Sequence, residues 1–191
     1  MELLKYLREK IMAIWLEDVK IKQKRKNKIL FSQDSYLLQE LTELLQQQNR
    51  QVVILWALEL AEEIVNQLLE KYPEETRGLE ALQLSRLWAQ GKIKMPEAKQ
   101  GILACHKVAK EIESPVDQAL YHAIGQGCSV VHTPGHTIGL PIYELTAIVR
   151  KHGIDSCRDY VEHRNKEYIN KLHYWKNHYQ DEEREWAKFL K

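Results

Sequence analysis

The chain has 191 residues, with 28 Lys plus Arg against 27 Asp plus Glu and a formal net charge of +1. That balance excludes a general nucleic-acid binder, whose footprint would be strongly basic. Three cysteines, an odd number without CxxC spacing, fit a reducing compartment. Leu, Glu, Lys, Gln and Ala dominate and alternating β-branched runs are almost absent, so an all-α protein is expected. The length suits one domain, or one domain with an arm, able to bury about 70% of its unfolded surface.

In chain order, Leu3, Leu4, Leu7, Ile11, Ile14 and Trp15 recur at helical spacing up to about Val19. The start Met1-Glu2-Leu3-Leu4-Lys5 lacks a basic stretch and a cleavage site, so no signal peptide is expected and the cytoplasm follows. Six of the nine residues from Lys20 to Lys28 are basic, with no aromatic among them. This reads as a solvated connection or a contact for phosphate or an acidic partner, without base stacking. Ser32 is placed to cap a second helix running to about Gln48, with Leu37, Leu38, Leu41, Leu44 and Leu45 inward. A third is expected over Gln51–Tyr72, with Ile54, Leu58, Ala61, Val65 and Leu68 on one stripe and Glu59, Glu62 and Glu63 on other faces. Pro73 ends it. A fourth runs from about Glu74 to Gln90, closed by Gly91, and a fifth from Pro96 to near Glu113.

Ser114-Pro115 pairs a cap with a proline at the first helical position, a strong start signal for a sixth helix. Thr133-Pro134 repeats the device and predicts a seventh, which Pro141 should kink or split. Asp155 or Ser156 should cap an eighth, with Val161, Tyr168, Leu172, Trp175 and Tyr179 inward, and Asp181–Leu190 suggests a ninth. Short turns between helices imply a compact bundle of eight or nine, with a solenoid of helix pairs as second choice. The organisation expected is a helical arm with its basic connection over 1–49 and a helical domain over 50–191.

From Gln118 to Tyr143 no Asp, Glu, Lys or Arg occurs, where about seven would be expected from the overall charged fraction of 29%. Such a stretch is a candidate core. Val131-His132-Thr133-Pro134-Gly135-His136 interrupts it, and a membrane-spanning helix needs roughly 20 continuous apolar residues, so no membrane crossing is expected. Gly125 and Gly127 inside the apolar helix suggest close helix packing.

The run Gly125-Gln-Gly-Cys-Ser-Val-Val-His-Thr-Pro-Gly-His-Thr-Ile-Gly-Leu-Pro-Ile-Tyr143 resembles the immunity proteins of bacterial polymorphic toxin systems, in particular the fifth immunity class and its relatives. Trp56-Ala57-Leu58-Glu59-Leu60-Ala61, Tyr72-Pro73-Glu74-Glu75-Thr76-Arg77, Trp88-Ala-Gln-Gly91, Ala104-Cys105-His106 and Trp186-Ala-Lys-Phe-Leu190 carry the same resemblance, which spans roughly residues 50 to 190. The chain departs from the family pattern at Glu75-Thr76-Arg77-Gly78, where an acidic residue is followed by Arg-Pro-Arg. The resemblance implies a protein toxin as partner, encoded nearby, and no catalytic residues.

Two classes of function therefore stand side by side. The first is protein binding. Residues 51 to 80 hold seven acids against Lys71 and Arg77, a local net of −5, and an acidic face speeds docking of a basic partner. Glu59, Glu62, Glu63 and Arg77 are the candidates, a solvated helix face being the plain alternative. The second is an enzyme or metal-binding protein using a buried pocket built from His106, His122, Cys128, His132 and His136. Cys128, His132 and His136 are spaced i, i+4, i+8 and would share a face in an unbroken helix, where they could hold zinc. No HExxH or paired CxxC supports a metal, so no cofactor is expected and satisfied core histidines are the simpler reading. The free N–H groups at Pro134 could hold an anion with help from His136. A homo-oligomer remains a third possibility.

Overall fold

Asn49 and Ser114 show how local chemistry sets the helix starts. Each adopts an extended backbone, and its side-chain oxygen accepts a hydrogen bond from the N–H three residues on, Val52 at 2.9 Å and Asp117 at 3.3 Å. These caps open the two central helices of a protein that, in the computed structural model, is described over residues 14–181 and 183–191. Among the described residues every regular element is helical. Helix α1 includes residues 14–24, followed by α2 (Gln39–Gln46), α3 (Arg50–Lys71), α4 (Arg77–Ala89), α5 (Met95–Val108), α6 (Pro115–Ser129), α7 (Gly139–His152) and α8 (Arg158–His178). Short 3-10 turns at Tyr36–Leu38, Pro134–His136 and Lys188–Leu190 complete the chain. The expected stripe at Leu3, Leu4, Leu7 and Ile11 lies outside the described residues. Of its continuation, Trp15 is buried and Ile14 exposed.

The arrangement is a bundle. Helix α3 packs against α4, α6 and α8, which a chain of stacked helix pairs would not allow, and α6 packs most extensively on α7. The first half of α3 is buried almost all round: Val52 to Leu58 and then Leu60 and Ala61 are all in the core. Helix α6 is buried from Ala119 to Val131 except at His122 and Gln126, as its lack of charge predicts. Gly127 makes the closeness possible. A methyl group there would meet Leu140 Cδ1 at 2.7 Å and the Ala57 carbonyl oxygen at 3.1 Å. Trp15, Val19, Leu30 and Phe31 belong to the same buried cluster as the later helices. Leu30 N–H donates to Thr146 Oγ1 at 3.1 Å, and Asn165 Nδ2 to the Leu37 carbonyl at 3.1 Å.

Several boundaries differ from the expectation. Ser32 does not cap a helix; its N–H donates to Ser35 Oγ, and a 3-10 turn precedes α2. Helix α4 starts at Arg77 rather than Glu74. Thr133-Pro134 opens only the 3-10 turn Pro134–His136, and α7 begins at Gly139. Pro141 therefore falls in the first turn of α7, where its missing N–H breaks no helical bond, and no kink follows. The ninth helix is absent among the described residues. Instead the tail runs as a strap across α4, anchored by the Ala187 N–H on the Ala89 carbonyl at 2.8 Å and ending in the turn at Lys188–Leu190. None of the described helices is long and apolar enough to cross a membrane.

Candidate interaction surface

The acids of α3 face α4 and α8 rather than open water. Glu59 and Glu63, one turn apart, straddle Lys171 of α8, whose Nζ lies 2.5 Å from Glu59 Oε1 and 2.7 Å from Glu63 Oε1. Trp175 Nε1 donates to the other Glu59 oxygen at 2.5 Å. Glu62 receives both terminal nitrogens of Arg86 on α4, at 3.0 and 2.7 Å, the two-pronged geometry that suits a guanidinium and a carboxylate. Glu63 also accepts from Arg164 Nη2 at 2.9 Å. Burial alone would raise the Glu63 carboxyl pKa, but the hydrogen bonds from Lys171 and Arg164 outweigh it and hold the group below the ordinary carboxylate value. The three side chains keep 31%, 44% and 38% of their surface in solvent, so they are shared between ion pairing and water. They are therefore neither a plainly solvated helix face nor buried. Arg77, the fourth candidate, is held by Glu75 at 2.5 Å and Glu111 at 2.6 Å, and ties the start of α4 to the end of α5.

These pairs form one wall of a groove of about 510 Å3. Ile54, Leu55 and Leu58 supply an apolar floor, Glu59, Glu62 and Arg86 a charged side, and the indoles of Trp175 and Trp186 an aromatic end. The tail strap closes it with Glu183, Arg184 and Glu185; the Arg184 guanidinium lies 5.4 Å from the Trp175 ring, and Lys92 pairs with Glu185 at 2.9 Å. An apolar floor edged by aromatic rings and mixed charge is the chemistry of a protein-recognition patch. Sequence patterning found the acids but not Arg86, Lys171, Trp175 or the strap. The advance signals were the place of Trp175 on the inward stripe of α8, the i, i+4 spacing that puts Lys171 on the same face, and the Trp186–Leu190 motif in the strap.

Beneath this surface, Arg164 is the hub of an ion network. Its Nε donates to the buried Glu144 at 2.9 Å and its Nη1 to Glu167 at 3.1 Å, while Tyr168 Oη donates to Glu144 at 2.7 Å. Burial pushes the Glu144 pKa up against the pull of Arg164 and Tyr168.

The second set of candidates separates into four places. His106 and His122 come together, Nδ1 to Nδ1 at 3.0 Å, with the Tyr143 ring 5.1 Å from that of His122. The His106 ring lies flat against α6 because Gly125 has no side chain; a methyl there would overlap it. Burial, with the neighbouring imidazoles of His122 and His136, pulls His106 down to about 4, and burial, Lys110 and Lys28 lower His122. Cys128 is fully buried, and burial pushes its thiol up to about 12. His132 packs on Trp88, ring centroids 5.2 Å apart, with its Nδ1 buried and without a hydrogen-bond partner. His136 is exposed. The chain turns between these residues instead of continuing as one helix, so the i, i+4, i+8 alignment of Cys128, His132 and His136 is lost. Among the described residues no group of three or more His, Cys, Asp or Glu is placed to hold a metal ion. The 3-10 turn at Pro134–His136 likewise replaces the helix start that could have held an anion.

Residues 43–184 match the family model described as "Imm-5 like putative immunity protein". The chain belongs to that family. The match covers the whole bundle from α3 through α8 together with the second half of α2, and so includes both the groove wall and the histidine pair. No curated protein and no solved structure matches the chain. Membership of the Imm-5 like family agrees with the resemblance drawn from the motifs between Trp56 and Leu190.

Proposed function

We propose that this protein neutralises a bacterial toxin by binding it in the cytoplasm of the producing cell, and that the groove between α3, α4, α8 and the tail strap is the docking face. The observation that carries the reading is membership of the immunity family over residues 43–184. The groove adds a physical rationale. It combines an apolar floor, two indoles and carboxylates that keep a third or more of their surface in water, so a basic side chain of a partner can compete for them. Such a protein needs no chemistry of its own. It needs a buried hot spot and complementary charge.

The test is protection of cells expressing the toxin encoded beside this gene, paired with binding kinetics of the purified proteins. Reversing Glu59, Glu62 and Glu63 together would break the ion pairs with Lys171, Arg86 and Arg164 and confuse docking with folding. Exchanging one pair, Glu62→Arg with Arg86→Glu, keeps the contact and the net charge while reversing the order of the two charges that a partner meets on the groove side. A partly exposed pair contributes only about 0.2–1 kcal/mol, so the exchanged protein should melt close to the parent. Association with the toxin should slow by about tenfold and lose much of its salt dependence. Unchanged kinetics and full protection would exclude the groove; failure of the neighbouring gene product to bind at all would end the immunity reading.

A further inference from the structure

A second cavity, about 250 Å3 in volume, opens on the opposite side of α3, where the arm meets the turn after α6. Its apolar lining comes from Leu45 of α2, Val53 of α3, and Val130 and Ile138 on either side of the Thr133-Pro134 turn. Uncharged hydrogen-bonding side chains surround that lining, among them Gln33, Thr42 and Gln46. The Thr42 hydroxyl has no hydrogen-bond partner. Among the described residues, Arg50 is the single charged side chain on the cavity wall.

The state of Arg50 decides what could bind. Its Nη2 donates to the Val131 carbonyl at 2.9 Å and its Nη1 to the Phe189 carbonyl at 3.5 Å. Both acceptors are neutral, so no carboxylate in these contacts offsets the guanidinium, unlike Arg77, Arg86 and Arg164, each of which is held by carboxylates. The 22-residue α3 begins at this residue with no acid in its first turn, and the helix dipole adds to the positive potential. A cationic ligand would be repelled here. A purely apolar one would leave the remaining guanidinium donors to water and gain nothing from them. An anion with an apolar body satisfies both parts of the cavity: the body removes the exposed edges of four aliphatic side chains from water, and the head takes the planar, forked donors of arginine.

We infer that this cavity is a binding site for an apolar group carrying a carboxylate, read by Arg50. The inference does not depend on the docking groove, which lies on the other side of α3. It also gives a role to the turn inside the charge-free stretch. Gly135, Thr137 and Ile138 form the outer wall, and a methyl group on Gly135 would meet no atom within 4 Å, so a larger side chain at that rim position causes no clash. The same chemistry is offered by a free branched-chain acid and by the C-terminal residue of a protein ending in leucine or isoleucine.

The experiment titrates the full chain with N-acetyl-leucine and with N-acetyl-leucinamide, identical in shape but uncharged, following the amide resonances of Thr42, Gly135 and Thr137. A tripeptide ending in leucine, with free and amidated C-termini, forms the second arm. The acids should bind at least about tenfold more tightly than the matching amides, a difference of about 1.4 kcal/mol. A tripeptide acid that binds about tenfold better than N-acetyl-leucine identifies a chain terminus as the source, and equal binding identifies the free acid. Gly135→Leu, which narrows the cavity from a position with open space, should weaken the acids by about tenfold while the melting temperature holds. Arg50→Gln should abolish the preference for acid over amide. Equal binding of acid and amide by the parent protein, or no shift at those three residues up to about 10 mM ligand, would overturn the inference. So would full binding by Gly135→Leu, and because that variant leaves Arg50 and its carbonyl contacts in place, its result stands even if Arg50→Gln loosens the arm.

Discussion

The histidine pair should make the fold acid-sensitive in a way that one substitution can isolate. His106 titrates near 4 in the folded protein against an ordinary 6.5, because burial, His122 and His136 all disfavour its charged form. The sign follows from linkage. The unfolded chain takes up the proton first as pH falls, so the stability contributed by the neutral imidazole is complete above about pH 6.5 and is lost on the way down to about pH 4. At 1.36 kcal/mol per unit, a shift of about 2.5 units sets an upper limit near 3 kcal/mol. The ring is partly exposed, and solvent screening brings the expectation to about 2 kcal/mol. Asparagine fits the space against Gly125 and can still bond His122, but does not titrate. Urea unfolding of the parent and of His106→Asn at about pH 7 and pH 4.5 gives the comparison. His106→Asn should be the less stable at neutral pH, and the gap should shrink by about 2 kcal/mol on acidification. The carboxylates held low by ion pairs, Glu63, Glu75 and Asp117, weaken both proteins alike. His122 does too, since burial, Lys110 and Lys28 hold it down rather than His106. Parallel pH profiles for the two proteins would refute the reasoning.

Gly127→Val should cost about 2–3 kcal/mol in chemical denaturation, because the added branches meet the Ala57 carbonyl and Leu140 in a seam with no slack. Arg164→Met should cost about 3–5 kcal/mol, since it strands the buried Glu144 with only Tyr168 as partner, and part of that loss should return at low pH as Glu144 is protonated; calorimetry at two pH values reads both effects. Ile124→Asp places an unpaired charge at a position with no solvent exposure and should abolish cooperative melting or lower stability by several kcal/mol; a melting temperature within a degree or two of the parent would contradict the placement of α6.

What the sequence made legible was whatever depends on neighbours in the chain. Ser114-Pro115 carries its own cap and its own fixed φ, and α6 starts there. Thr133-Pro134 has the same grammar, yet α7 begins five residues beyond Pro134, at Gly139. The predicted kink at Pro141 disappeared with that shift, since the cost of a proline depends on where the helix starts. The tail pattern at Asp181–Leu190 likewise lost to tertiary contact, the Ala89 carbonyl and the seat under Leu190 being worth more than a short, isolated helix. The acids at Glu59, Glu62 and Glu63 were visible as a face, but their partners lie 24 to 112 residues away on other helices. No periodicity encodes that pairing. The histidines show the same limit: His106 and His122 meet because α5 and α6 are neighbours, while His132 and His136, close in sequence, are separated by a turn.

The residues that mark the family are mostly inside the protein. Trp56, Ala57, Leu58, Leu60, Ala61, Trp88, Cys105, Cys128 and Val131 are all buried, and Gly125 and Gly127 are there to let His106, Leu140 and α3 come close. These residues specify how the helices pack. Apart from Leu58 on the groove floor they lie away from the groove lining, so likeness in these positions transfers the scaffold more than the target. On the reading proposed above, recognition falls to side chains nearer the surface: Glu62 and Arg86, whose exchange the bundle should tolerate, the strap residues Arg184 and Glu185, and Arg50 at the second cavity. Two surfaces on opposite sides of α3 thus share one buried helix and one tail strap, since Arg50 donates to the Phe189 carbonyl, so substitutions on both are read together by double-mutant cycles rather than assumed additive.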